Sequence, residues 1–588
     1  MSAPDRSGKP SRPLKSFRDL KRALGGAEPE PEPTPAGRGW TFAGDEQALE
    51  SAAASGDGAR AIVLARPRAF GPMAGGPPCY LEEDSEELEL LHSFRVRTIF
   101  PGDVQAEVAT LPRDPAPADL AGRLDLRGHT IFTVDGEDAK DFDDAIEIAE
   151  LEGGRLEVGV HIADVAHYVR PGTALDAEGL ARATSIYLPD QVVPMLPEAL
   201  SNHLCSLVEG RERLCYSVRM VFDAAGQRLE ASVAKSVIKS VKRCTYKGVQ
   251  ELLDGADTPL ARELAFLERP LRLFERWTKR QQAIRDAKGS LRMTSRERRF
   301  VFDERHEVSA VVDYPRYFSM ALIEETALAA NQAVGDLFRS RGLPAIYRVH
   351  REKDPEEVAA VAKMLEEHQI RVPDKDRLTA RDVGRMIRAA RRRPNAEALI
   401  QRIMGLVERA TYEVHDHEDV AKHFGLARQG YLHFTSPIRR YPDLMVHRWL
   451  WAVESRGSEA ETELRAAELL ADLNQVASHC SGQAEVAEMV AQAVGDLKVC
   501  QFMHPHIGKK LSGKVHRVSP AGLEVHLTDF NVVGFLPSRT LGERARVEGP
   551  TLTVRKGRQV RSFTEGHPVA VRLADVDFVR LQLMMELA

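Results

Sequence analysis

From about residue 123 to 222 apolar and polar positions alternate with a period of two, predicting strands at 130–134, 145–149, 156–162 and 214–222. The turn Glu152-Gly-Gly154 lies between two of these runs and reads as a hairpin connection. Beyond them, 185–189 and 192–196 form an apolar loop marked by Pro189 and Pro194. From 257 to about 502 the period lengthens to that of amphipathic helices, at 317–338, 356–367 and 396–412. A basic helix at 385–393 stops at Pro394. The pattern changes again after 507. Short strands at 511–518, 523–527, 532–536, 569–573 and 579–584 alternate with glycine-containing turns, which suits a five-stranded OB barrel.

The N-terminal part is different in kind. Residues 1–38 are rich in Pro, Gly, Ser and charge and end in Glu-Pro-Glu-Pro-Glu-Pro-Thr-Pro, too polar to fold, so a disordered tail is expected, with room for a short helix at 14–24. Residues 39–122 contain helix-like stretches at 45–54 and 82–94 and a strand-like one at 59–65, at most one small domain of uncertain type.

Composition narrows the picture. The formal net charge of the 588 residues is −6, so any nucleic-acid site has to be a local basic surface. The segment from Lys509 onward meets that condition, with 13 Lys and Arg against 8 Asp and Glu. Six scattered cysteines without a C-x-x-C pair read as reduced thiols of a cytoplasmic protein. No apolar run approaches the ~20 residues of a membrane span, and no apolar signal core opens the chain, although its first residues are basic.

The candidate chemistry sits in Thr133-Val-Asp-Gly-Glu-Asp-Ala-Lys-Asp-Phe-Asp-Asp-Ala145. Six carboxylates fall within ten residues, offset only by Lys140. Like charges so crowded raise one another's pKa unless a cation neutralises them, and hard oxygen ligands on a loop suit Mg²⁺. The plain alternative is a solvated acidic turn, against which Phe142 stands as an apolar residue inside the run.

A second motif decides between them. His423-Phe-Gly-Leu-Ala427 is followed by Tyr431-Leu-His-Phe-Thr-Ser-Pro-Ile-Arg-Arg-Tyr-Pro-Asp-Leu-Met-Val-His-Arg448. With the acidic loop, Val160-His-Ile-Ala-Asp-Val165, Tyr187-Leu-Pro-Asp-Gln-Val-Val-Pro-Met-Leu-Pro197 and Pro344-Ala-Ile-Tyr-Arg-Val-His350, it closely resembles the ribonuclease II / ribonuclease R (RNB) family, nearer the ribonuclease R branch. The resemblance runs from about residue 100 to the C-terminus. It implies an α+β multidomain chain. A mixed α/β RNB catalytic domain at 123–455 is completed by a helical segment at 456–506, and an RNA-binding OB fold follows at 507–588.

The same resemblance implies a processive, Mg²⁺-dependent 3′-to-5′ exoribonuclease. Such an enzyme degrades single-stranded RNA to nucleoside 5′-monophosphates in RNA decay and quality control. It would act as a cytoplasmic monomer with one or two Mg²⁺ ions, Mn²⁺ being able to substitute. Asp135, Asp141, Asp143 and Asp144 become the catalytic, metal-binding tetrad, with Asp135 and Asp144 favoured as direct ligands and Asp141 sharing the load. Asp143 holds a second ion or the attacking water. Arg439 clamps the scissile phosphate, with an ion pair to Asp443 as its structural alternative. Arg440 is a second phosphate contact or a support. Tyr187 stacks on the 3′-terminal base and Phe300 is its partner, although Phe302 shares Phe300's strand face.

Other residues are read more plainly. His415-Asp-His417-Glu is a solvated loop before it is a metal site, and His161 and Asp164 are structural. The helix at 385–393 either lines an RNA path or faces water. The chain departs from the family in having room for at most one barrel before the catalytic domain, where two cold-shock barrels are usual. It also has Glu485-Val-Ala-Glu488 in place of Glu-Arg-Arg-Ala, and Leu523 where a stacking aromatic is common, leaving His516, Phe530 or Phe535 to substitute. A non-catalytic RNA-binding regulator and a single-strand DNA exonuclease are the competing classes.

Overall fold

The computed structural model describes residues 64, 67, 68, 80, 85–291, 298–351, 353–372, 378–393, 396–415, 422–542 and 544–588. The tail expected at 1–38, with its short helix, and the elements expected at 45–54 and 59–65 lie outside the described residues, apart from Leu64.

The alternating runs form one seven-stranded sheet. Its strands are β1 (Leu124–Asp125), β2 (Phe132–Asp135), β3 (Asp144–Glu150), β4 (Leu156–Ala163), β5 (Glu212–Phe222), β6 (Arg228–Lys239) and β7 (Lys242–Thr245), in the order β1-β6-β5-β4-β3-β2-β7. β3, β4, β5 and β6 are antiparallel neighbours, while β7 runs parallel to β2 with Asp135 opposite Thr245. Val158, Val160 and Ile162 of β4 are fully buried, because helices cover this part of the sheet. Phe274 and Trp277 of α1 (Glu268–Lys288) meet Phe132 and Phe222 edge to face.

α2 (Phe318–Ser340) presses on the strand-poor stretch that carries the second motif. Its Asn331 donates to the Tyr431 hydroxyl at 2.9 Å and accepts from the Phe434 amide at 2.8 Å. The approach is close enough that a Cβ on Gly335 would stand 2.1 Å from the Gly430 carbonyl oxygen, so only glycine fits. The Ser-Pro-Ile-Arg-Arg turn then feeds α3 (Tyr441–Arg456), opened by Pro442 in its first turn and almost wholly buried.

Helix does not run unbroken from 257 to 502. A hairpin, Arg298–Phe302 with Val308–Asp313, precedes α2, and Ala345–His350 pairs antiparallel with Ala410–His415. The helix read at 396–412 therefore ends at Met404. The residues after it, Thr411, Tyr412 and Val414, favour an extended chain once a partner strand is available. The helices Pro355–Glu367, Ala380–Ala390 and Ala396–Met404 form a small lobe with its own core around Val358, Leu365, Val383 and Ile403.

The 37-residue α4 (Ala467–Met503) leads into a closed five-stranded barrel. The barrel strands are β8 (Lys510–Ser519), β9 (Gly522–Leu527), β10 (Val532–Pro537), β14 (Pro568–Asp577) and β15 (Gln582–Leu587). Between β10 and β14 the chain inserts a three-stranded sheet, β11 (Arg544–Glu548), β12 (Thr551–Lys556) and β13 (Gln559–Thr564), beyond the five strands that the alternation predicts.

The described part of 39–122 has no core of its own. Leu90, Leu91 and Val96, in and just after helix Ser85–Ser93, join the core of α4 and the barrel, whereas Phe100 and Val104 join that of the sheet. This segment therefore bridges the two larger bodies.

Candidate active site

The acidic loop is the β2–β3 connection, and its ends are held by the sheet: Asp135 closes β2 and Asp144 opens β3. Phe142 explains itself here. Its ring is buried, its amide donates to Ser206 Oγ at 3.0 Å, and its carbonyl accepts from the Leu207 amide at 3.0 Å. Ser206 Oγ also donates to the Lys140 carbonyl at 2.7 Å, and Arg243 Nη2 spans the Gly136 and Glu137 carbonyls at 2.6 Å each. The loop is thus anchored by its backbone and by one apolar side chain.

Opposite lies the turn 436–440. The Asp143 carbonyl accepts from the Ala163 amide at 2.9 Å, and its Oδ1 accepts from the Ile438 amide at 2.8 Å, joining the acidic loop to that turn. Asp143 Oδ2 is buried without a hydrogen bond, 3.4 Å from Arg439 Nε. Arg439 also donates to Ser436 Oγ at 2.9 Å and keeps 40% of its side chain exposed, so the guanidinium is held and yet open to solvent. The ion pair to Asp443 offered as the alternative for Arg439 belongs instead to Arg440. Arg440 Nε and Nη2 grip Asp443 Oδ2 and Oδ1 at 2.9 and 2.8 Å, and Asp443 in turn accepts from the Ser436 amide at 2.8 Å. That bidentate clasp occupies Arg440's fork and fits the support role.

The third piece is the segment before Tyr187. The Ser185 amide donates to the Arg439 carbonyl at 3.0 Å, and the Tyr441 amide to the Ala183 carbonyl at 2.9 Å. Tyr187, in a short hairpin of Ile186–Tyr187 with Val192–Val193, is 45% exposed and donates its hydroxyl to Asp141 Oδ2 at 2.8 Å. Phe300 is half-buried and packs toward α4, its ring 3.9 Å from where a Cβ on Gly495 would stand. Phe302, beyond a bulge, is half-buried as well.

Electrostatics agree with the crowding. Burial, then the neighbouring Asp144 and Asp141, push the Asp135 carboxyl up to about 8 against the pull of Arg439 and Arg243. Burial raises Asp144 to about 6 and Asp143 well above the usual range, with Arg439 opposing in both cases. A neighbour missed in the sequence is Tyr246, whose phenol is raised by burial and then by Asp135 and Asp144. Its place one residue after β7, beside the end of β2, becomes visible only when the parallel pairing is known.

Among the described residues no three His, Cys, Asp or Glu side chains stand close enough together to hold a metal ion as they are. The donor set fits a hard divalent ion: carboxylate groups alone, with Asp135 raised by burial and then by Asp144 and Asp141, and with one oxygen orphaned and buried at Asp143.

The remaining candidates go elsewhere. His161 Nδ1 meets Ser217 Oγ at 2.7 Å, and Asp164 is buried against Arg123 at 2.7 Å and Lys235 at 3.0 Å. His415 approaches Glu413 at 3.2 Å, while His417 lies outside the described residues. The helix Ala380–Ala390 faces a cleft of about 1920 Å³ with Arg381 and Arg385. In the barrel Leu523 is core, whereas Phe530 stays half-buried with its ring edge-on to Phe502 and His506 at 5.9 and 4.8 Å.

Comparison with known proteins gives concordant results. The family model described as RNB domain matches residues 123–456. Ribonuclease R of Thermotoga maritima is 37% identical over 445 residues, covering 76% of this chain and 62% of that protein. Ribonuclease R of Aquifex aeolicus is 33% identical over 499 residues, covering 85% and 69%. The chain spans about three fifths of the length of the first curated relatives it matches. Among solved structures, the apo form of Mycoplasma genitalium RNase R superposes with a TM-score of 0.75 at 25% identity, over 85% of this chain and 77% of that one.

Proposed function

The chain belongs to the RNB-domain family alongside the ribonucleases R, and from that premise we propose that it is a processive 3′-to-5′ exoribonuclease hydrolysing single-stranded RNA to nucleoside 5′-monophosphates. The observation that carries this reading is the junction of acidic loop and arginine turn through the Asp143–Ile438 hydrogen bond, with a part-exposed Arg439 beside the carboxylates.

Asp135, Asp141, Asp143 and Asp144 would hold Mg²⁺, as one or two ions, with Mn²⁺ able to stand in. When bound, such ions supply Lewis acidity that lowers the pKa of water and neutralises charge on the phosphodiester. The chain's own groups do the rest. Arg439 presents parallel N–H donors to the scissile phosphate and cannot lose its charge. Arg440 fixes the turn from which Arg439 projects. The Tyr187 ring offers a platform that accepts any terminal base, as an enzyme advancing over all four nucleotides needs. Phe300, or Phe302, would complete that platform. RNA rather than DNA would be chosen through the 2′-hydroxyl. No helix among the described residues is long and apolar enough to cross a membrane. A cytoplasmic monomer acting in RNA decay completes the proposal.

The test is one gel: a plain single-stranded oligoribonucleotide and a 3′-tailed duplex, each with Mg²⁺ and with EDTA. Mononucleotides released only with Mg²⁺ support the reading. Intact RNA in both lanes, with binding retained, would instead make the protein a non-catalytic RNA binder.

A further inference from the structure

Tyr187 sits on a hairpin too small to hold its own shape. Its strands pair Ile186 with Val193 and Tyr187 with Val192, and the Leu188 amide donates to the Gln191 carbonyl at 2.8 Å to close the loop of Pro189 and Asp190. Even a longer hairpin is marginal in water by itself. The direction of the Tyr187 ring is therefore set by what grips the hairpin at either end. Its base is held by the arginine turn, through the Ser185 amide on the Arg439 carbonyl at 3.0 Å. Leu188 and Val193 are buried in the core shared by α4 and the barrel, but such apolar packing is non-directional and does not fix the tip. The tip is met by Lys498 of α4, whose ammonium stands 3.3 Å from Asp190 Oδ2.

Lys498 is a costly residue for that task. Its side chain is 5% exposed, on a stretch of α4 where Val494, Leu497 and Cys500 are core. A buried ammonium is tolerated only where carboxylates compensate it. Glu87 Oε2 lies 2.7 Å from Lys498 Nζ, and Glu87 is wholly buried on the helix Ser85–Ser93. Gln501, three residues along α4, donates to Glu86 Oε2 of the same helix at 3.4 Å. Glu87 thus balances Lys498 and holds its ammonium in place, and the same ammonium reaches Asp190. With its side chain 17% exposed, Asp190 is the wetter of the two carboxylates.

We propose that Lys498 is a positioning residue for the 3′-terminal base: held by Glu87, it pins the Asp190 tip and so fixes the plane of the Tyr187 ring. The inference rests on the reading of Tyr187 as the platform for that base. Lys498 acts through the hairpin and makes no contact of its own with RNA. Part of the control of the platform then lies in the helix Ser85–Ser93, which precedes the catalytic domain in the chain.

Two oligoribonucleotides identical except at the 3′ end test it, one ending in an ordinary nucleoside and the other in an abasic ribose. Their affinities for the full chain are measured in EDTA, so that neither is degraded. The wild type should prefer the ordinary end about tenfold, the worth of one stacked base, and Tyr187→Ala should bring the ratio to about one. Asp190→Ala leaves the Glu87–Lys498 pair whole, so it should melt with the wild type while its ratio falls to about two. Glu87→Gln with Lys498→Met removes both buried charges and should give the same ratio, with no further fall when Asp190→Ala is added, because the residues act as one unit. A merely structural ion pair would lower the melting temperature and leave the ratio untouched. A wild-type ratio in Asp190→Ala, or a further loss in the triple variant, would overturn the positioning role. A wild type indifferent to the missing base would instead remove the Tyr187 platform, and the inference with it.

Discussion

Asp143 Oδ2 and Arg439 Nε stand 3.4 Å apart in a buried corner without a hydrogen bond between them, while Asp143 Oδ1 is fully engaged by the Ile438 amide. One oxygen of this carboxylate is structural and the other is left for chemistry. Asp143→Asn keeps an oxygen for Ile438 and removes the charge. Hydrolysis should fall by more than about a hundredfold, beyond what disturbing an outer partner of a metal site costs. RNA affinity should stay within about twofold, since phosphate contacts elsewhere carry the binding. A labelled oligoribonucleotide degraded at a wild-type rate would refute the assignment.

The two neighbouring arginines should fail in different ways. Arg439 is 40% exposed and its loss removes a donor from the phosphate, so Arg439→Ala should lower turnover strongly with the melting temperature nearly unchanged. Arg440→Ala strands the fully buried Asp443 carboxylate, which costs about 3–5 kcal/mol. Thermal unfolding followed by circular dichroism separates them. Equal melting temperatures in the two variants would contradict the division.

Tyr187 combines a ring and a hydroxyl with separable duties. Tyr187→Ala should weaken RNA binding by about 1–3 kcal/mol, the worth of one stacked base. Tyr187→Phe keeps the ring and breaks the 2.8 Å bond to Asp141, so affinity should hold while the metal dependence of turnover shifts. Oligomer binding and a Mg²⁺ titration of the rate measure the two effects. Equal affinity in the Ala and Phe variants would remove the ring from the binding surface.

Much of this site is legible in the sequence. Periodicity located β2, β3, β4 and β5, and an acidic run between strand ends marks a loop whatever the fold. The role of Phe142 was also foreshadowed, because an apolar residue among acids needs a core to enter. What sequence could not reveal depends on distant pairing. Tyr246 reaches the site through a parallel strand more than a hundred residues from Asp135. Arg439 and Arg440 are chemically identical and adjacent, and only the direction of the chain entering α3 decides which of them meets Asp443. The helix read through 412 gave way to a strand because Ala345–His350 offers an edge there. The β11–β13 sheet escapes a hydrophobic pattern because its alternation is spelled with arginine and threonine.

A site of carboxylates raised by burial and by one another should be stabilised by the ion it fits. Adding Mg²⁺ in excess should raise the melting temperature and EDTA should remove the gain, with about 2.7 kcal/mol available at a hundred times the dissociation constant. Asp135→Asn combined with Asp144→Asn should abolish the Mg²⁺ response and melt no lower than the ion-free wild type, because two buried carboxyls that disfavour each other's ionisation are gone. A wild-type melting temperature indifferent to Mg²⁺ and EDTA would count against the cation site, independently of any activity.

Asp164 makes the opposite electrostatic case and yields a pH prediction. Burial opposes its ionisation, but Lys235 at 3.0 Å and Arg123 at 2.7 Å outweigh it and hold the carboxyl well below the usual range. Its folded pKa is thus below the unfolded value of about 3.9. As pH falls, the unfolded chain takes up the proton first, so the stabilisation is complete above about pH 5 and fades progressively below about pH 4. Asp164→Asn leaves both cations facing a neutral amide and should cost about 3–5 kcal/mol at pH 7. The gap in melting temperature between wild type and variant should narrow as pH drops from about 5 to about 3. A gap that stayed constant across that range would show that Asp164 acts through packing and hydrogen bonds rather than through its charge.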